Sequence, residues 1–317
     1  MIRVGIVSNP VSDGNGGRST IAEFAAYAAG KGEPVAFAVP PSVDTLSEVL
    51  TNFARRGVSV VGVDGGDGTL RDVLGALPAA YGEAWPAIAI LPSGKTNLIA
   101  RDVGSFGGGV AGVRRLLHAA RTPDRMTVRE RPCLEAVWDD NVVRGMFGGA
   151  GVLTSATRLA TAGIFRHGVK QNLGVAVTMA QVLRQAYAAR SEFSGVDLAI
   201  ADDETVMPPS SPHFLFLATT LNQLMLGFWP FPGERRSGIG ALHWLALGAP
   251  PRRLLRTLWR AWRGSLIADP ANGLRCGNAA SVTVRFGAPF VVDGEIFDPG
   301  DACVTWRTGR SVRFLAM

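Results

Sequence analysis

The sequence predicts an α/β N-terminal domain built on a parallel sheet, followed by a β-rich C-terminal domain of the antiparallel sandwich type. Three observations lead there. From residue 1 to about 120, short β-branched runs alternate with alanine- and leucine-rich stretches, the texture of βαβ units. Thr122-Pro123-Asp124 breaks that rhythm, because proline disfavours helix at the residue before it. Beyond the break, strand patterns at 128–137 and 282–292 are separated by loops and two helical insertions. Residues 1–124 and 125–317 are the two domains on this reading, and 317 residues at roughly 100 to 200 per domain also make two.

The strands of the first domain are drawn at 3–8, 34–39, 58–63 and 87–91, each continuously apolar as a strand covered on both faces should be. Helices fill the intervals, the last at 114–120. No internal repeat or low-complexity tract is present.

Composition bounds the class of protein. Hydrophobic residues are 47% and charged residues 18% of the chain, enough for a large core and unlike a disordered segment. The net charge of +6 is carried almost wholly by arginine, since Lys31, Lys95 and Lys170 are the only lysines. Arginine holds phosphate and carboxylate in a fixed fork, so the excess suits a phosphorylated ligand or an anionic surface; compositional bias explains it as well. Cys133, Cys276 and Cys303 are too scattered for a disulfide framework or a zinc site. The N-terminus enters a strand pattern at once, with no signal-peptide pattern, and the apolar stretch 213–231 is interrupted by Asn222, Gln223 and Pro230. A cytoplasmic protein without a transmembrane helix is expected.

The chemistry gathers in glycine-rich turns. In Val63-Asp64-Gly65-Gly66-Asp67-Gly68-Thr69-Leu70, a strand ends and three glycines surround one carboxylate at the start of a helix. Such a turn can present N–H groups to a phosphate at a helix N-terminus, and Asp67 beside it can bind Mg²⁺ or accept a proton. The plain alternative is a turn in which Asp67 or Thr69 caps the helix. Leu91-Pro92-Ser93-Gly94-Lys95-Thr96-Asn97 is a second strand-to-helix turn. It is not a Walker A loop, because Ala89 stands where that pattern needs glycine. A third turn, Asn9-Pro10 with its glycine-rich continuation to Arg18, follows the first strand. None of the three carries the G-x-G-x-x-G of a dinucleotide fold.

Taken in order, Asn9-Pro10, the turn Gly65-Gly66-Asp67-Gly68-Thr69, the stretch Pro92-x-Gly94 through Asn97 with Ala100-Arg101, and Asp293-Gly294-Glu295 resemble the diacylglycerol kinase catalytic family. That family includes bacterial lipid kinases and sphingosine kinases, and is distantly similar to NAD kinases. The resemblance implies an ATP-binding α/β domain, a β-rich domain carrying the lipid site, and chemistry in the cleft between them. It implies ATP contacts from Asn9, Gly65, Gly66, Asp67, Gly68, Thr69, Leu70 and Arg71, joined by the second turn at Gly94, Lys95, Thr96 and Asn97. Asp67 and Glu295 are expected near the γ-phosphate, with Glu295 as base and Asp67 as organiser of metal and phosphate; the family uses either carboxylate as base. Without the other motifs, Asp293-Gly294-Glu295 reads as a hairpin turn.

The sequence departs from the family pattern in four places. Lys95 stands where threonine is usual and Leu98 where aspartate is usual, moving the local charge by about two units toward positive. Arg71-Asp72 replaces a common Asn-Glu. Gly148-Gly149-Ala150-Gly151 lacks the aspartate that often follows, Leu153 being in that region. The loop 231–238 aligns loosely with one that is acidic and metal-binding in bacterial relatives, and here it is mostly basic, so only a Mg²⁺ carried by ATP is expected.

Arg252, Arg256, Arg260 and Arg263 recur at helical spacing opposite Leu254, Leu255, Leu258 and Trp262. This basic amphipathic helix, with the loop 226–231, either rests on anionic lipid or packs on the second domain with a solvated arginine face. His118, His167, His213 and His243 lack metal-ligand spacing, although His167 lies between Arg166 and Lys170 as part of a phosphate patch. The leading expectation is an ATP-dependent kinase of a diacylglycerol-like or sphingoid lipid, with peripheral membrane contact open and no nucleic-acid partner. A nucleotide- or lipid-binding regulatory protein on the same fold, and a kinase of a soluble polar substrate, are the alternatives.

Overall fold

The computed structural model describes residues 2–12, 21–30, 35–122, 124, 126–161, 195–202, 206–224, 228–231 and 242–317. The glycine-rich continuation at 13–18, the group Arg166, His167 and Lys170, Leu226 and Gly227, and the loop 232–238 lie outside the described residues. The contacts divide the chain into two units: Met1–Cys133 with Arg310–Met317, and Leu134–Gly309.

In the first unit β1 (Val4–Ser8), β2 (Val35–Ala38), β3 (Val60–Gly65) and β4 (Ala87–Pro92) form a parallel sheet in the order β2-β1-β3-β4. The end of β15 (Cys303–Ala316) adds a further parallel strand, pairing Phe314 with Ile88 and Leu315 with Ala89. β1 and β3 are buried along their whole length, which is why they read as unbroken apolar runs.

Five helices join them: α1 (Ile21–Ala29), α2 (Val43–Arg55), α3 (Asp67–Tyr81), α4 (Leu98–Val103) and α5 (Gly109–Arg121). α2 starts where Ser42 Oγ accepts the Thr45 N–H at 3.3 Å, and its Leu46, Leu50 and Phe53 turn inward. The Phe53 ring lies so close over Gly5 that a Cβ there would come within 2.6 Å of it. Leu116 of α5 instead crosses Gly62, and α5 shares a core with Phe24 and Ala28 of α1. Helices therefore cover both faces, as the alternating pattern requires.

The second unit is antiparallel. Its strands are the end of β5 (Thr127–Trp138), β6 (Asn141–Gly145), β7 (Phe147–Gly151), β8 (Val196–Asp202), β9 (Ser211–Thr219), β10 (Leu242–Gly248), β11 (Leu274–Ala279), β12 (Ser281–Phe286), β13 (Phe290–Val292), β14 (Glu295–Phe297) and the first part of β15. β9 pairs with β7 and β10 along 215–219 and with β8 at 211–213. The segment 282–292 is two strands rather than one. Gly287-Ala288-Pro289 separates them, and proline has no N–H to give a ladder. The core is aromatic: Phe290 meets Trp306, Trp138 and Phe286 with ring centroids 5.3 Å apart in each pair. A Cβ on Gly148 would come within 2.5 Å of the Trp306 ring, so part of the glycine stretch in β7 makes room for that core. Among the described residues the helices of this unit are α6 (Val152–Thr161), α7 (Leu254–Trp262) and a 3-10 turn at Pro270–Asn272.

His213 in β9 and His243 in β10 are buried, and burial pulls both imidazoles below their usual 6.5. His243 Nδ1 is 2.7 Å from Asn278 Oδ1 and its ring packs on Trp229. The unfolded chain binds protons first as pH drops below 6.5, so this contribution to stability is present above that value and lost on acidification. Urea titrations should show stability falling between about pH 7 and pH 5, with a shallower slope in His213→Gln/His243→Gln.

Candidate functional site

β3 and β4 end side by side, with Gly65 opposite Pro92. The Ser93 N–H donates to the Gly65 carbonyl at 3.0 Å, carrying the pairing one residue further. The backbones then close on each other at Gly66 and Gly94. A Cβ on Gly94 would lie 2.5 Å from the Gly66 Cα, and one on Gly66 would lie 3.1 Å from the Gly94 Cα. Neither neighbour is a side chain that can swing away, so the close approach requires glycine at 94 and favours it at 66.

Two side chains fix the second turn. Asn97 has φ 48°, a left-handed conformation that asparagine tolerates better than most residues. Its Oδ1 accepts the Gly94 N–H at 3.0 Å and its Nδ2 donates to the Gly94 carbonyl at 2.6 Å. Asp67, at the first position of α3, reaches the start of α4: Oδ2 accepts the Leu98 N–H at 3.0 Å and Oδ1 the Ile99 N–H at 3.1 Å. The capping alternative is thus present in an unanticipated form, with Asp67 capping the next helix and not its own. Burial pushes its carboxyl above the usual carboxylate value, against the pull of those two N–H donors and the Arg101 guanidinium.

The turn after β1 is tied to both others. The Asn9 N–H donates to the Asp64 carbonyl at 2.8 Å, and Asn9 Nδ2 to Thr69 Oγ1 at 3.0 Å. Ser12 Oγ donates to the Ser93 carbonyl at 2.7 Å. Below them Ser8 Oγ donates to Asp64 Oδ2 at 2.5 Å, both residues fully buried. Three turns therefore converge at the carboxyl ends of β1, β3 and β4, where open α/β sheets bind ligands.

The structure brings Asn9, Gly65, Gly66, Asp67, Thr69, Gly94 and Asn97 into this one assembly. Gly68 lies in the first turn of α3, Thr96 is half-buried in the second glycine turn and Lys95 is exposed there. Leu70 is buried in the core, and Arg71 pairs with the adjacent Asp72 at 2.6 Å. Leu98 is buried too, and only its backbone serves the turn. Ser8, Ser12, Asp64 and Ser93 went unnoticed as site residues; Ser8 and Asp64 carried one signal, as polar residues within or beside strands otherwise apolar.

In the second unit Asp293 (φ 43°) and Gly294 (φ 86°) form the two-residue loop of the β13–β14 hairpin, with Val292 opposite Glu295. The Asp293 carboxylate is buried and accepts the N–H groups of Met146 at 2.9 Å and Phe147 at 3.0 Å. Glu295, one residue past the turn, is exposed. Among the described residues no three His, Cys, Asp or Glu side chains gather as a metal site.

Residues 3–127 match the family model of the diacylglycerol kinase catalytic domain, which bears out the resemblance read from the motifs. Comparison with curated proteins gives no match. Solved structures from Bacillus anthracis str. Sterne share the fold over nearly the full length. One, described as a candidate diacylglycerol kinase, is 15% identical with a TM-score of 0.66, covering 99% of this chain and 97% of that one. Another, described as a diacylglycerol kinase, is 14% identical with a TM-score of 0.61 and the same coverage. A third, again a candidate diacylglycerol kinase, is 16% identical with a TM-score of 0.65. At these identities the likeness is one of fold, an α/β domain with parallel strands and a β-rich domain with antiparallel ones.

Gly94→Ala should destabilise the protein by about 1–3 kcal/mol and Gly66→Ala by less, because the first drives a methyl deeper into backbone. Asp67→Ala should cost about 1–2 kcal/mol, the usual loss on stripping a helix cap, with Asp67→Asn intermediate. Chemical denaturation of the four variants beside wild type measures both series.

Proposed function

We propose, taking the match of residues 3–127 to the diacylglycerol kinase catalytic domain as premise, that the chain transfers the γ-phosphate of ATP to a hydroxyl of a diacylglycerol-like or sphingoid lipid. The observation that carries this reading is the convergence of three turns on the Gly66–Gly94 contact, with Asp67 joining α3 to α4. Side chains are excluded there, so a polyphosphate can approach backbone N–H groups at the N-terminus of α3.

Residues 1–124 are proposed as the ATP-binding domain and 125–317 as the lipid-substrate domain, in the cytoplasm with peripheral contact at the inner membrane surface. No described helix is long and apolar enough to cross a membrane. Asn9, the residues from 65 to 71 and those from 94 to 97 are the proposed nucleotide contacts.

The Asp67 oxygens each accept one N–H, and a carboxylate has about four lone-pair sites, so room remains for one metal contact. Asp67 fits a Mg²⁺ carried by ATP and touched through this carboxylate. Bound there, the metal would neutralise phosphate charge. Phosphoryl transfer asks the protein chiefly for in-line positioning, which the rigid turns supply. Asp67 holds the phosphate site in shape, and exposed Glu295 is the proposed acceptor of the proton from the lipid hydroxyl.

A second reading, nucleotide binding without turnover, draws on Leu98, which puts a buried apolar side chain where the family pattern carries a carboxylate. One assay separates the two: radiolabelled ATP offered with diacylglycerol, sphingoid bases and other lipid alcohols. Label should pass to a lipid, and Asp67→Asn and Glu295→Gln should each lower turnover about a hundredfold or more. ATP binding with no labelled lipid would favour the second reading. Undiminished transfer in both variants would reject the assigned carboxylates.

A further inference from the structure

Away from the glycine turns, the second unit carries a face whose composition differs from the rest of the described surface. Residues 252–275 hold six arginines against the single carboxylate of Asp269, a local charge of +5 in a chain whose total is +6. α7 divides cleanly. Leu254 and Ala261 are buried, and the Ala261 carbonyl accepts the Trp229 N–H at 3.2 Å, fixing the inner side. Arg252, Arg253, Arg256, Trp259, Trp262 and Arg263 are exposed. Trp262, placed by periodicity opposite the arginines, is 68% exposed.

Trp259 is 54% exposed, and with Trp262 it is the only exposed aromatic among the described large hydrophobic side chains. Ile267, just beyond the helix, is 69% exposed. The Arg263 guanidinium stacks over the Trp259 ring at 4.7 Å, which keeps ring and charge together. A surface depression of about 60 Å³ is lined by Arg252, Arg253, Arg256 and Arg260, and also by Ile267, Asp269 and Asn272. Asp269 is engaged by Asn272 Nδ2 at 2.7 Å.

We propose that the α7 face and the segment through Ile267 dock on an anionic phospholipid bilayer, with the arginine-lined depression receiving lipid phosphate and Trp259, Trp262 and Ile267 entering the interface. Charge complementarity selects that occupant. A cationic rim around aromatic side chains suits an interface that is anionic at its surface and apolar just beneath. A buried protein partner of ordinary kind would leave so many guanidinium groups to be desolvated. The inference deepens the lipid-kinase reading by naming where the chain meets its substrate's membrane. Its test involves no phosphoryl transfer, so either can fail without the other.

The test is co-sedimentation of the full chain with phosphatidylcholine vesicles, with or without about one third phosphatidylglycerol, at rising salt. Wild type should bind the anionic vesicles, release them as salt rises from about 0.1 to 0.5 M, and leave neutral ones in solution. Arg252→Gln/Arg253→Gln/Arg256→Gln should weaken binding about a hundredfold, at roughly fivefold per arginine. Trp259→Ser/Trp262→Ser should weaken it separately. All five positions are exposed, and unchanged thermal melting verifies each variant. Binding to neither vesicle, as a chain reserved for an acidic protein would show, overturns the proposal. So does equal binding to both, or anionic binding that neither variant reduces.

Discussion

The first unit depends on one contact that no side chain makes: the passage of Gly66 against Gly94. β3 and β4 are neighbours in a parallel sheet, and their chains would ordinarily part where the strands end. Here the Ser93–Gly65 hydrogen bond prolongs the pairing and the two glycines let the loops touch. Everything at the candidate site follows from that closeness. Asp67 can reach across to α4, Ser12 can reach Ser93, and Asn9 can reach Thr69 because the turns are held at backbone distance.

Asp67 shows how one residue carries two demands. Its carboxylate closes the exposed N–H groups of a two-turn helix, a task any well-placed acceptor performs. The same carboxylate lies at the α3 N-terminus, the place proposed for a phosphate. Loss of activity in an Asp67 variant therefore reports on phosphate chemistry only when folding is measured beside it. Asp293 is a parallel case in the second unit: its carboxylate fastens the hairpin to Met146 and Phe147, while the neighbouring Glu295 is exposed.

Much of this was legible in the residues because glycine and short apolar runs have few other uses in that order. The four N-terminal strands lie within two residues of where periodicity put them, since parallel strands buried on both faces cannot look like anything polar. Partnership was less legible. Nothing in the spacing of Asp67 and Leu98 says that a side chain from one helix will cap another, for that depends on how closely two strands end. The break at Gly287-Ala288-Pro289 was masked by the apolar residues on either side of it. That Trp262 is exposed could not be read from periodicity, since only packing tells which apolar side chains of an amphipathic helix lie inside.

The return of Phe314 and Leu315 to pair with Ile88 and Ala89 bears on how the chain acquires its structure during synthesis. Phe314 is fully buried, and a Cβ on Gly104 would come within 2.6 Å of Ala316. When residues 1–133 leave the ribosome, one margin of their sheet has no partner, and it stays so until some 180 more residues have been added, about ten to forty seconds at ordinary rates of elongation. For that interval the margin beside β4 is an unpaired, apolar strand edge, the kind of surface that recruits foreign strands. The nascent chain is thus most vulnerable to aggregation while its second unit is being made.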